Sequence, residues 1–211
     1  WAEKGIPSGF VDKAGRRWNI QTYAKASIKS TVNDVRNEVR RERLNEYGIH
    51  TVIVTSHPSA RPACSHIQGH VVDLRRPEAI PEGSKYKSIY DPSWNAHYQE
   101  PSGHMGVNCH HMHIPFDPDV NENNQVKYKP EDVVKRFEKE QGQRALENRI
   151  RKTKTKMMIA KELGNTSELK RLSRVVAKQR KTMVQYTRAN ELRRKPKREQ
   201  VRIPVKTLMG D

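Results

Sequence analysis

The chain has 211 residues, of which 34% are hydrophobic and 6% aromatic, and it carries a formal net charge of +17. Such sparse apolar content favours a modest core with elongated parts over one large globule. It contains no apolar run of the length that crosses a bilayer, and its two cysteines exclude a disulfide-dense scaffold. It opens on Trp1 with no signal-like apolar stretch behind it, and reads as a fragment whose N-terminal part is missing or removed.

In chain order, Gly9 to Trp18 reads as strand, turn, strand, with Gly15 free to take a positive φ and Phe10, Val11 and Trp18 as the residues to bury. A helix is expected from about Tyr23 to Glu46. Ile28, Val32, Val35 and Val39 fall on one face, and Gly48 stands where a C-cap belongs. Thr51–Thr55, a β-branched run, predicts a buried strand, and Val71–Leu74 a second one entered through Gly69. Residues 75–104 hold four prolines but also Tyr86, Tyr90, Trp94 and Tyr98, so an ordered, packed loop is expected.

Beyond the polar turn Asn121–Asn124 the composition changes. Of the net charge, +14 lies from Glu131 onward. A long helix is predicted from about Glu131 to Leu163, stopped by Gly164, and a second one opens at Asn165 with Glu168 in a capping-box position. Leu169, Leu172, Val176, Met183 and Tyr186 form a seam broken by Gln179, and Pro196 and Pro204 are expected to end the hairpin in a basic tail. The expected organisation is α+β: a hairpin over 1–25, a central helix plus metal-binding module over 26–125, and a basic helical hairpin with tail over 126–211.

Two segments carry chemistry. Cys64 lies seven residues after His57, and Cys109 two before His111, so a thiolate and an imidazole from each would make a tetrahedral set for one structural zinc. A Cys64–Cys109 disulfide and two separately buried, inert thiols are the other readings. Arg61 and Gln68 are expected to support the ligands. Arg61 would bond carbonyls of the metal loops or a carboxylate such as Asp73, against the plainer reading of a solvent-facing arginine. Neither His50–His70 nor Gly103–Phe116 contains an Asp or Glu, so the general base of a zinc hydrolase is missing and a closed site is expected. The charge of the C-terminal part favours a polyanion, against the plainer reading of a solvated helical surface. Arg149, Arg151, Lys152, Lys154 and Lys156 are the candidate phosphate contacts.

The run Gly9–Trp18, the block Glu46-Tyr47-Gly48, the segment Ser56–Cys64, Gln68-Gly69, Tyr86–Asp91, Gly106–His111 with Pro115-Phe116, and Gln143–Arg151 together resemble the phage minor capsid protein 2 family. A more distant likeness is to the Mu-type minor head (MuF) family. There this chain sets His111 where cysteine is frequent and His110 where arginine is usual, which leaves the ligand open between the two histidines. The resemblance implies a non-enzymatic virion protein, in the capsid interior or at the portal vertex, assembled in the host bacterial cytoplasm. Portal protein, major capsid protein and packaged double-stranded DNA would be its partners, with neither a membrane nor a small-molecule substrate. Its role would be to assist head assembly and genome packaging or delivery. A metal-dependent nuclease using the histidines of 104–113, or a DNA-binding protein of prophage origin, is the alternative.

Overall fold

The computed structural model describes residues 9–11, 15 and 17–201. They form an α+β protein whose residues fall into two compact units, divided between Phe137 and Glu138. The expected tail beyond Pro204, and the side chains of Phe10 and Trp18, lie outside the described residues.

The first unit opens with the antiparallel pair β1 (Gly9–Val11) and β2 (Arg17–Asn19). Gly15 takes φ +74° at the turn. Val11, expected to be buried, is exposed, because a two-stranded ribbon has a solvated face. Helix α1 (Ile20–Glu46) follows. It ends in a Schellman arrangement: Gly48 sits at φ +67°, Ile49 N–H donates to Leu44 O at 2.9 Å and Gly48 N–H to Asn45 O at 3.0 Å. The apolar face of α1 does not go inward. Ile28, Val32, Val35 and Val39 are all exposed, and among the described side chains of the helix the buried apolar one is Leu44.

The core is built on β3 (Thr51–Val54), the central strand of an antiparallel sheet, with β4 (Val71–Asp73) on one side and β5 (His113–Pro115) on the other. Val52 faces both Val72 and Pro115, and Val54 faces His113. Between β3 and β4 the chain makes the short helix α2 (Pro62–Ser65). Leu44, Val52, Val54, Ile67, Val72, Ile89 and Ala96 form one buried cluster, lined by Tyr90, Trp94 and Tyr98. The proline-rich loop is therefore ordered by its aromatics, and Trp94 Nε1–H also donates to Ser88 O at 2.9 Å. Neither edge of the sheet is bare. Beyond β4, Asp73 N–H donates to Lys87 O and Ile89 N–H to Asp73 O. Beside β5, Arg40 Nη1 donates to His113 O at 3.0 Å.

Helix α3 (Pro130–Glu162) carries the division between the units, and α4 (Thr166–Ala189) belongs to the second. Gly164 at φ +65° makes the turn between them, and Asn165 Oδ1 accepts from Glu168 N–H at 3.0 Å. Only half of the capping box forms, since the Glu168 carboxylate pairs with Arg171. In the second unit Ile150 and Ala160 of α3 and Leu172, Val176 and Met183 of α4 are buried. Gln179, the polar break in the seam, donates to Thr153 Oγ1 at 3.0 Å. At Gly142 any Cβ would run into the Tyr186 ring, whose hydroxyl donates to Lys139 O at 3.0 Å.

The hairpin ends earlier than Pro196. Glu191 turns to φ +54° and Leu192 N–H donates to Thr187 O at 2.8 Å, closing α4 at Ala189. The segment beyond is anchored by the buried Glu199 carboxylate, bidentate on Arg194 at 2.7 Å. Ile150→Ala should cost about 2–5 kcal/mol, since it empties a fully buried site; chemical denaturation followed by helical circular dichroism measures it.

Candidate functional site

Cys64 sits at the third position of α2, where Pro62 starts the turn and Cys64 N–H donates to Arg61 O at 2.9 Å. The opposing side chains come from the loop preceding β5. That loop is tightly wound. Asn95, His97, Gln99, Met105 and Asn108 all have positive φ, a costly state for residues other than glycine. Gly103 and Gly106 lie against the carbonyls of His97 and Glu100, where a Cβ has no room. The coil holds His104 through its own N–H to Ala96 O at 2.7 Å, and it delivers Cys109, whose carbonyl accepts from Asn33 of α1 at 3.3 Å.

The result is a buried group of Cys64, His104, Cys109 and His111, one donor atom of each lying within 4.8 Å of all the others. Both cysteines are free thiols. Cys109 Sγ is 3.4 Å from His111 Nδ1. The Cys109 thiol is held below its ordinary range, foremost by a hydrogen bond from Cys64. The Cys64 thiol is held correspondingly high, by the same hydrogen bond and by burial. Two hydrogen-bonded, buried sulfur atoms therefore stand beside two imidazoles.

The tautomer of His111 follows from the surrounding bonds. Gln68 Oε1 accepts from His57 N–H at 2.9 Å, which fixes the amide orientation, and it also faces His111 Nε2 at 3.3 Å. An amide oxygen only accepts, so His111 carries its proton on Nε2 and turns the bare Nδ1 toward Cys109. His104 Nε2 meets His113 Nε2 at 3.0 Å, while His104 Nδ1 is buried without a hydrogen-bond partner. Burial drives both imidazoles toward the neutral form, His113 down to about 3. Two imidazoles and two buried sulfur atoms, with the His104 Nδ1 orphaned, fit a thiophilic divalent metal. Tetrahedral bonds of about 2.0–2.3 Å set ligand atoms roughly 3.3–3.8 Å apart, so the group needs only a small contraction.

Three of the four ligands expected from the sequence thus share one group. His57 lies outside it, with its ring edge-on to His111 at 4.6 Å between centroids and its Nε2 3.3 Å from His110 O. His104 takes a place in the group that sequence reasoning did not give it. Its signal was the Gly103-His104-Met105-Gly106 run, where flanking glycines mark close backbone approach. Arg61 bonds Val107 O at 2.7 Å and Ser102 O at 3.2 Å, both on the coiled loop, whereas Asp73 is taken by Arg75.

The five candidate phosphate contacts divide into two sets. Arg149, Lys152 and Lys156 are exposed and, with Arg171, line a cleft of about 470 Å³ in the second unit. Arg151 instead donates to Arg198 O at 2.7 Å and to Asn148, and Lys154 to Gln200 Oε1 at 3.2 Å.

A family model described as phage minor capsid protein 2 matches residues 1–188. With the fold and the site laid out, the class is a phage structural protein, and the chain belongs to the phage minor capsid protein 2 family. It is 36% identical over 170 residues to a structural protein of Lactococcus phage LL-H, covering 79% of this chain and 44% of that protein. A structural protein of Lactococcus phage mv4 is 35% identical over 83 residues, which cover 39% of this chain and 64% of that protein. The chain therefore spans less than two thirds of either relative's length. No solved structure matches. Among the described residues, no helix is long and apolar enough to cross a membrane.

Gly106→Ala should unwind the coiled loop, because its Cβ would meet the backbone of Glu100 and Pro101. Loss of the native near-ultraviolet signal of Tyr98 and its neighbours, with α3–α4 helicity kept, is the expected readout.

Proposed function

We propose that this chain is a minor head protein stationed in the capsid interior or at the portal vertex, where it assists head assembly and genome packaging or delivery. In this reading a zinc-pinned module meets portal and major capsid proteins, and the basic hairpin lies along packaged double-stranded DNA. Membership of a minor capsid family supports the virion role. The observation that carries the DNA reading is the cleft lined by Arg149, Lys152, Lys156 and Arg171. Nearly all the aromatic residues of the chain lie before Glu131, with Phe137 and Tyr186 the exceptions beyond it, so stacking on bases has little support and phosphate contact has much.

The metal we assign is zinc, bound as about one ion per chain by Cys64, His104, Cys109 and His111. When bound it supplies a cross-link between α2 and the coiled loop, and no reaction. Gln68 holds His111 in the binding tautomer, His113 orients the His104 ring, and Arg61 fastens the loop to α2.

Elemental analysis of protein purified without chelator should find about one zinc per chain. His104→Ala and Cys109→Ala should lose it, and Gln68→Ala should weaken it roughly 10–100-fold. His57→Ala should keep it. A metal-free, fully folded protein, or one stripped by His57→Ala and not by His104→Ala, would overturn this ligand set.

Binding to duplex DNA should be independent of sequence and fall with salt by roughly 0.9 log units per log of salt for each phosphate contacted. Glu in place of Arg149, Lys152 and Lys156 together should flatten that slope. A slope near zero in the unaltered protein, or a particle map with the hairpin enclosed by protein, would count against the DNA reading.

A further inference from the structure

Helix α1 is turned the wrong way for a simple surface helix. At about 100° per residue, Ile28, Val32, Val35 and Val39 fall within an arc of about 60°. That face is open to solvent, with exposures of 64%, 46%, 58% and 52%. The less exposed side, roughly 150° away, is formed by Ala26, Ser30, Asn33, Asn37, Arg40 and Leu44. It meets the coiled loop and β5 mainly through polar bonds, Asn33 to Cys109 O and Arg40 to His113 O. An amphipathic helix ordinarily buries its apolar stripe, and contiguous exposed apolar patches mark association sites.

We infer that this stripe is a self-association seam, covered by α1 of a second copy running antiparallel to the first. Three features identify that occupant. The spacing of four, three and four residues is the narrow seam of a two-stranded coil rather than the broader face of a globular core. All four residues are β-branched and stiff, and so lose little side-chain freedom on packing. The seam is also bracketed by opposite charges, with Lys25 one heptad step before Ile28 and Glu42 one step after Val39, both exposed. Reversing the second helix sets Ile28 on the second copy's Val39, Val32 on its Val35, and Lys25 on its Glu42, with every contact made twice, as a two-fold axis requires. A parallel pair would stack Lys25 on Lys25 and Glu42 on Glu42. Lys29 and Arg36 then share one rim, where their charged ends stay in water and their stems cover the seam.

Sedimentation velocity of the full chain over a wide concentration range tests this. A reversible monomer–dimer equilibrium is expected, abolished by Val32→Glu combined with Val35→Glu. The positions are exposed, so helicity and metal content should be unchanged in that variant. Ile28→Cys mixed with Val39→Cys under mild oxidation should give the mixed disulfide, while neither variant alone should link to itself. Self-linkage at either position would overturn the antiparallel placement. A chain monomeric throughout, or a dimer indifferent to the two glutamates, would overturn the seam itself. If the monomeric chain nevertheless failed to enter particles when Val32 became Glu, the stripe would belong to another virion protein and the second-copy reading would fall. None of these outcomes depends on zinc or on DNA.

Discussion

The first unit turns on the meeting of two buried sulfur atoms. Cys64 is delivered by a one-turn helix between two strands, and Cys109 by a loop wound through several positive-φ residues. Little apolar surface lies between them beyond Ala60, Met105 and Val133. A loop with that much backbone strain must be over-determined by its contacts. Here the contacts are the four-donor group, the Arg61 bonds to Val107 and Ser102, and the two bonds from α1. The conventional core of Val52, Val54, Ile67, Val72 and Ile89 holds the sheet. The thiol–imidazole group joins α2 to the coiled loop that precedes β5.

Much of this was readable from residue types. Glycines at 15, 48 and 164 marked three turns because each takes a positive φ that other residues resist. Cys64, Cys109 and His111 stood out because thiols and imidazoles are scarce and the segments were short. His104 did not, since its place depends on a coil whose path is set by Gly103 and Gly106 packing on carbonyls, a tertiary fact without periodicity. The α1 stripe shows the opposite failure. Its period was plain and its helix correct, but periodicity says only that one face is apolar, not that this chain alone covers it. The end of α4 was misjudged for a related reason. Proline is a strong stop signal, yet Glu191 in a left-handed turn stopped the helix first.

Charge in the second unit is sorted by what the chain does with its own cations. Arg151 and Lys154 are occupied by the segment around Arg198 and Gln200, which is itself anchored by the buried Arg194–Glu199 pair. Arg149, Lys152 and Lys156 face the cleft. A sequence count treats the five alike, whereas in the structure two are parts of the scaffold.

The small sheet has a further consequence for how this protein can meet others. Three strands with two open margins would ordinarily offer a template to any extended peptide. Here one margin is bonded to Lys87 and Ile89, and the other runs for only three residues, ends in Pro115, which has no N–H to give, and has its His113 carbonyl taken by Arg40. Strand addition to this sheet is thereby discouraged. Around this sheet, recognition is left to side chains on the flanking helical and loop surfaces, where charge and shape discriminate.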